Sequence, residues 1–454
     1  MPCLINFLVG ILTLQSHPSF LGEPIGAMRS PWSMALLSAY SVYLLTALTI
    51  PLMGKVAAGL ILLLGLAGLY RLKANYYDLT MAEKWLLASF ALFSVVSIIS
   101  FFYWPHSRLS QMHLEDYGTF LMLIPLYLLL RQFKFDFCCV IVILASIAIV
   151  LGCVSISQYV AMRYFNVYIL TSDSMDSQSW LRPSGGVNPM RYGAISLILS
   201  AIAFNGVLFI RDKAMWLRLL LCVSSLMGLV ACYLTGSRGS FVAIPLLAFM
   251  YSVYLYKAGH SRYLRVLLVS SILLMAGLSQ NDRVIATVSS FERYQQGDAA
   301  SSLGARFDMF KAAVILIERR PFWGYGLGGY LDGGKEVRKI YPNIDQHVGT
   351  WSNPHNEYLL VLVEKGAIGF IALLLLFVVP GYLFFQAIRK AGESAAGQQV
   401  KFFAMSGLSL LVVYAVVGQS VALFQHDVFN HFFTLMVLMF ASQIRVIGYF
   451  QGQR

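Results

Sequence analysis

The stretch Asn353-Pro354-His355-Asn356-Glu357 carries the residue types best suited to move a proton in this 454-residue chain. Asparagine is a favoured helix N-cap and proline suits the first helical position, so the pattern predicts a helix that starts at Asn353 with His355 in its first turn. The helix dipole at that place disfavours an imidazolium. A neutral imidazole can take a proton from an attacking hydroxyl, as a general base must. The plainer role for the same residue is a histidine seated at a membrane interface.

Four arginines offer the complementary chemistry. Thr235-Gly236-Ser237-Arg238-Gly239 reads as a tight turn that puts Arg238 at the N-terminus of a new helix, where backbone donors and a guanidinium together suit an anion. Arg306 lies on a separate amphipathic segment. Arg182 and Arg191 flank the turn-rich run Pro183-Ser184-Gly185-Gly186-Val187-Asn188-Pro189. Converging forks of this kind clamp a diphosphate through charge-assisted, bidentate hydrogen bonds. Taken singly, each arginine is equally a snorkelling or solvated side chain.

Two other patterns are set aside. Gly324, Gly326 and Gly329 match G-x-G-x-x-G, but no strand precedes them and no βαβ unit is possible, which excludes a dinucleotide fold. They are read as a tight re-entry toward the membrane, with a backbone phosphate contact left open. Asp345, His347, His355 and Glu357 fit no standard ligand spacing, so no metal and no cofactor is expected.

The elements that position these residues must work without water. The chain is 58% hydrophobic and 12% charged, which no soluble fold can bury. Its apolar residues fall in blocks of roughly 15 to 22, the length that crosses a hydrocarbon core. These blocks are apolar on nearly every face, unlike the alternating segments of a barrel. An all-α polytopic membrane protein with about twelve spans follows. The spans are expected at residues 32–50, 56–70, 84–104, 117–130, 138–160 and 192–210. The rest are expected at 216–234, 240–256, 264–278, 358–388, 402–423 and 431–447. The span at 358–388 is too long for one straight crossing, and Lys365-Gly366 is the expected break.

The net charge of +12 comes from cations scattered at the ends of apolar blocks. That is the positive-inside pattern rather than a nucleic-acid patch. It puts both termini and the Arg131, Lys257, Arg389 and Arg445 ends on the cytoplasmic side. Residues 1–454 are read as a single transmembrane domain. One large outer loop, 279–357, is inserted between the ninth and tenth spans. Within it, residues 301–318 predict an amphipathic helix on the membrane face, with Phe307, Phe310, Val314 and Ile317 as its apolar stripe. Arg182, Arg191, Arg238, Arg306 and His355 all fall on the outer side, where topology disfavours cations. The six cysteines give no disulfide or metal spacing and are read as small core residues. The apolar segment 4–14 is too short to span and lacks a basic n-region and a convincing cleavage site, which argues against a cleaved signal peptide.

Three stretches carry a resemblance to a known family. They are Thr235-Gly236-Ser237-Arg238-Gly239-Ser240; Arg306 followed by Arg320-Pro321-Phe322-Trp323-Gly324-Tyr325-Gly326; and Pro354-His355-Asn356-Glu357-Tyr358-Leu359 with Glu364-Lys365-Gly366-Ala367-Ile368-Gly369. In this order, with one large loop before the histidine, the chain resembles the O-antigen ligases over most of its length, and most strongly from Arg182 to Leu374. The resemblance implies a GT-C-like glycosyltransferase of the inner membrane of a Gram-negative-type envelope, with its active site facing the periplasm. It implies undecaprenyl diphosphate-linked O-antigen as donor and lipid A-core oligosaccharide as acceptor, without metal or nucleotide. His355 takes the family's place of catalytic base, and Arg238 and Arg306 the places of diphosphate ligands. Arg191 and Arg182 are added to them from the residue pattern alone.

Related activities compete with this expectation. O-antigen polymerases share the broad family but usually have two substantial outer loops. Protein O-oligosaccharyltransferases share the histidine loop but usually extend further past the last span. A transporter is disfavoured because carriers mark their route with polar or interrupted helices at mid-membrane depth.

Overall fold

The computed structural model describes residues 79–103, 107–167, 182–210, 215–280 and 302–448, with isolated positions 39, 43, 59, 285 and 290–292. The expected spans at 32–50 and 56–70, the 4–14 segment, Cys3 and most of 281–301 lie outside them. The described residues form helices and connecting turns, with no strand. In chain order these are α1 (Met81–Phe102), α2 (Arg108–Leu130), α3 (Phe137–Phe165), α4 (Pro189–Phe209), α5 (Met215–Thr235) and α6 (Arg238–Lys257). They continue as α7 (Ser261–Ser279), α8 (Ser302–Arg319), α9 (Gly329–Ile340), α10 (Glu357–Lys390), α11 (Ala395–Val417) and α12 (Asp427–Val446).

Seven of them, α1, α3, α4, α5, α6, α10 and α11, are long and apolar enough to cross a bilayer. The segments expected to span at α2, α7 and α12 are helical as well. The chain is a multi-pass helical membrane protein. Local sequence sets the helix starts. Thr80 and Glu83 form a capping box on α1, Asp136 caps α3, Asn188 caps α4 with Pro189 behind it, and Ser394 caps α11.

α4 and α11 lie at the centre of the bundle. Short polar side chains join them to their neighbours: Asn205 donates to Ser406 Oγ at 3.1 Å, and Tyr251 and Ser409 hydroxyls lie 2.8 Å apart. Such interhelical bonds hold where lipid supplies no hydrophobic drive between helices. Cys232 is buried in this bundle, whereas Cys153 and Cys222 face outward, against the expectation of core cysteines.

The two ends of the bundle differ. At one end the buried Glu83 accepts from Arg131 Nε at 2.9 Å and Tyr127 at 3.0 Å, with Arg445 Nε at 3.5 Å, which ties α1, α2 and α12 together. At the other end, α8 and α9 pack on the start of α10 around a second apolar cluster. The face of α8 that makes this contact is Ala305, Met309, Ala312, Ala313 and Leu316. This corrects the expected stripe, since Phe307 and Phe310 are only half-buried and Val314 is exposed. The helix carries two apolar stripes. The alanine-lined one allows the close approach.

The break in α10 is at Gly366, as the Lys365-Gly366 pair predicts, with φ 62° and ψ −163°. A side chain there would overlap the Phe322 backbone. The break frees carbonyls and amides that the Pro321–Gly326 stretch then uses. Tyr325 N–H donates to Val363 O and Gly326 N–H to Glu364 O, both at 2.8 Å, and Ala367 N–H donates to Pro321 O at 2.8 Å. Two motifs that are separate in sequence are thus one docked unit.

Candidate functional site

The residues singled out above gather at the end opposite the Glu83 cluster. That end collects the C-termini of α1, α3, α5 and α11 and the N-termini of α2, α4, α6 and α10.

Arg238 is the first residue of α6, reached through Gly236 at φ 59°. Glycine takes this left-handed turn without strain. Arg182 braces the same turn, because its Nε donates to Thr235 O at 2.6 Å. Arg191 lies in the first turn of α4, beside Met190, whose sulfur is 4.0 Å from Arg306 Nη2. Arg306 projects from α8 into this space. Burial, and then the charge of Arg238, lower its pKa to about 10, so it remains a cation at neutral pH. Two guanidiniums that repel each other in a part-buried place favour an anion between them.

Gln158 was not marked by the sequence and holds this side of the site together. Its Oε1 accepts from Ser184 N–H at 2.8 Å and Gly185 N–H at 2.9 Å, and its Nε2 donates to Gly185 O at 3.1 Å. The turn between Arg182 and Arg191 is therefore fixed to α3. The signal was a lone amide side chain near the end of an apolar helix, a weak one by itself.

His355 does not sit in a helix. Asn356 is the cap of α10, accepting from Leu359 N–H at 3.0 Å, and the helix starts at Glu357. Asn353 caps nothing; its Oδ1 accepts from His355 N–H at 3.0 Å. His355 itself has φ 52°, an uncommon value for a non-glycine residue and one often found at functional sites. The expected register fails because Glu357 N–H is taken by Gly418 O at 2.7 Å, a partner on the segment after α11. That segment also revises the eleventh span, which ends at Val417 rather than 423: Leu423 and Phe424 N–H turn to Glu357 Oε2 at 2.7 and 3.3 Å.

The imidazole is neutral, though not by the expected cause. Burial, then the charge of Arg306, then His347 lower the His355 pKa to about 4. Its ring meets Trp351 with centroids 4.6 Å apart, and Trp351 meets His347 at 4.4 Å. His347 Nδ1 faces Asp345 Oδ1 at 2.6 Å. The structure thus brings His355, Arg306 and Arg238 into one electrostatic cluster, with Arg182 and Arg191 on the elements that frame it. Gly324 and Gly326 are used in docking onto α10, and Glu357 is buried as an acceptor for backbone N–H groups.

Residues 220–375 match the sequence profile of the O-antigen ligase family. The chain carries an O-antigen ligase domain. This domain runs from α5 to the middle of α10 and includes Arg238, Arg306, His355 and the Gly366 break, whereas Arg182 and Arg191 precede it. A protein of Haemophilus influenzae, itself uncharacterized, is 25% identical over 410 residues, which cover 88% of this chain and 96% of the relative. The match supports the O-antigen ligase and polymerase superfamily, whose members are membrane glycosyltransferase-like enzymes.

Proposed function

We propose that the chain transfers O-antigen from undecaprenyl diphosphate to lipid A-core oligosaccharide at the periplasmic face of an inner membrane, with both termini cytoplasmic. The observation that carries this reading is a neutral, half-buried imidazole at His355 that feels the charge of Arg306, which in turn feels that of Arg238. A glycosyl diphosphate needs little more. Its leaving group is already good, so the protein must orient the acceptor, remove a proton and stabilise the departing charge.

In this reading the acceptor hydroxyl gives its proton to His355 as its oxygen attacks the anomeric carbon. The bond from that carbon to the diphosphate oxygen breaks, and the lipid diphosphate leaves with the electron pair. Direct displacement inverts the anomeric centre. Arg306 and Arg238 take up the developing charge, with Arg182 and Arg191 as further ligands. A base of pKa about 4 is weak. A bound diphosphate offsets Arg306 and raises that value toward the working pH, so the donor itself makes the base competent.

The test is lipopolysaccharide gel analysis of a deletion strain complemented by variants. Loss of O-antigen on the core, with polymer still accumulating on the carrier lipid, is the expected result. His355→Ala should fail to complement while the protein inserts normally, and Arg238→Lys and Arg306→Lys should rescue poorly because a point charge lacks the fork. Failure to form the polymer at all would favour a polymerase. Normal ligation by the His355 variant would remove the base.

A further inference from the structure

His355 is one end of a row of rings whose other two members take no part in the transfer chemistry above. Trp351 meets it at an interplanar angle of 86°, and His347 meets Trp351 at 64°. The far end is fixed. Asp345 Oδ1 faces His347 Nδ1 at 2.6 Å and also accepts from His347 N–H at 2.8 Å. A carboxylate in that position keeps the proton on Nδ1 and leaves Nε2 for a ligand. Asp345 N–H in turn donates to Asp308 Oδ2 at 3.1 Å, on the helix that carries Arg306. The row and the arginine therefore share one footing.

Trp351 is still 36% exposed, and His347 keeps 31% of its side chain open. The backbone beneath the indole is held by the main-chain N–H of Trp351, which donates to His347 O at 3.1 Å. An open indole between two imidazoles joins an apolar ring to polar nitrogens on either side. A pyranose ring presents both matching parts: weakly positive C–H groups for the face of an aromatic ring, and hydroxyls that bond to imidazole nitrogens.

We infer that His347, Trp351 and His355 form a saccharide-binding face that seats the acceptor sugar. This rests on His355 being the base. A base must lie within about 2.6 to 3.2 Å of the hydroxyl it deprotonates, so the sugar bearing that hydroxyl reaches an indole centred 4.6 Å from the imidazole. The donor diphosphate belongs on the other side, toward Arg306 and Arg238. Trp351 is thus a binding residue for the acceptor, and Asp345 positions His347.

The experiment uses the full chain in nanodiscs with undecaprenyl diphosphate-linked glycan as donor. Lipid A-core from O-antigen-deficient cells is one acceptor and the O-antigen glycan is the other. Trp351→Ala should raise the acceptor KM about tenfold or more while the donor KM stays put. Trp351→Phe should keep most of the affinity and Trp351→Leu should lose it, a comparison that holds even where the alanine variant inserts poorly. His347→Ala and Asp345→Asn should shift the acceptor KM in the same direction. Direct titration of Trp351→Ala with lipid A-core should show the same loss of binding, in a measurement that does not depend on His355 acting as base. If only the O-antigen glycan is extended, the ligase reading fails, and the Trp351 comparison on that acceptor still decides the binding face. An unchanged acceptor KM in Trp351→Ala and Trp351→Leu, or an equal rise in donor KM, overturns the inference.

Discussion

Replacing Lys365 by methionine should unfold the protein more readily than any change to the bundle's apolar surface. Lys365 is 1% exposed, and its Nζ lies 3.4 Å from the centre of the Tyr117 ring and 5.0 Å from that of Phe93. Two carboxylates on the same helix, Glu357 and Glu364, are fully buried. Each holds backbone of a different loop: Glu357 accepts from Leu423 and Phe424, and Glu364 accepts from Gly328 N–H at 2.9 Å. The charge of the ammonium acts on both acids, which fix the segments around the site. Methionine keeps the length and removes the charge. Removing one partner of a buried ionic group costs about 3 to 5 kcal/mol, of which the desolvated cation–π contact is roughly 2. Because the surplus then sits on the acids, adding Glu364→Gln should return about 0.5 to 3 kcal/mol. Thermal unfolding in detergent, followed by size-exclusion chromatography, reads both changes. A Lys365→Met variant as stable as wild type would refute the account, as would a double variant that merely adds a second penalty.

Three further outcomes follow from the geometry. Since the His355 pKa is lowered to about 4, the imidazole proposed as base stays unprotonated above that value in the free protein. The kcat/KM profile should stay level from neutral pH down to about 5 and fall through about 4, with the limb in kcat displaced upward because bound donor offsets Arg306. An acid limb in kcat/KM near 6.5 would contradict this. Gln158→Leu strands two buried N–H groups, at a cost of about 1 to 3 kcal/mol, and loosens the turn between Arg182 and Arg191. Donor KM should rise more than kcat falls in steady-state assays, and a pure loss of expression with KM intact would count against a positioning role. Gly366→Ala forces a side chain into a φ of 62° and onto the Phe322 backbone. Folded protein should be lost in the same chromatographic assay, and full recovery would mean that the loop does not dock there.

Hydropathy located the spans because lipid leaves no other home for continuous apolar runs. The 84–104 expectation became Met81–Phe102, 138–160 became Phe137–Phe165 and 192–210 became Pro189–Phe209. The turn before Arg238 and the break at Lys365-Gly366 were equally plain, since glycine marks both by a conformation that other residues avoid. Charge also grouped the candidate residues on one side. The register of His355 was not legible, because Asn353 and Asn356 are equally good caps. The choice between them rests on Gly418 and Leu423, which only the fold brings near. The packed face of α8 was likewise ambiguous, since both of its apolar stripes repeat with the helical period.

Chain composition by itself therefore determined the solvent, the helices, their approximate ends and the residue types available for a transfer reaction. Tertiary structure alone decided which of those residues meet. His355, its indole neighbour and the arginines stand on α4 and the turn before it, α6, α8 and the loop before α10, and the forces that converge them are hydrogen bonds and buried charges between segments far apart in the chain. Local sequence cannot carry that information, because each partner is defined only by the other.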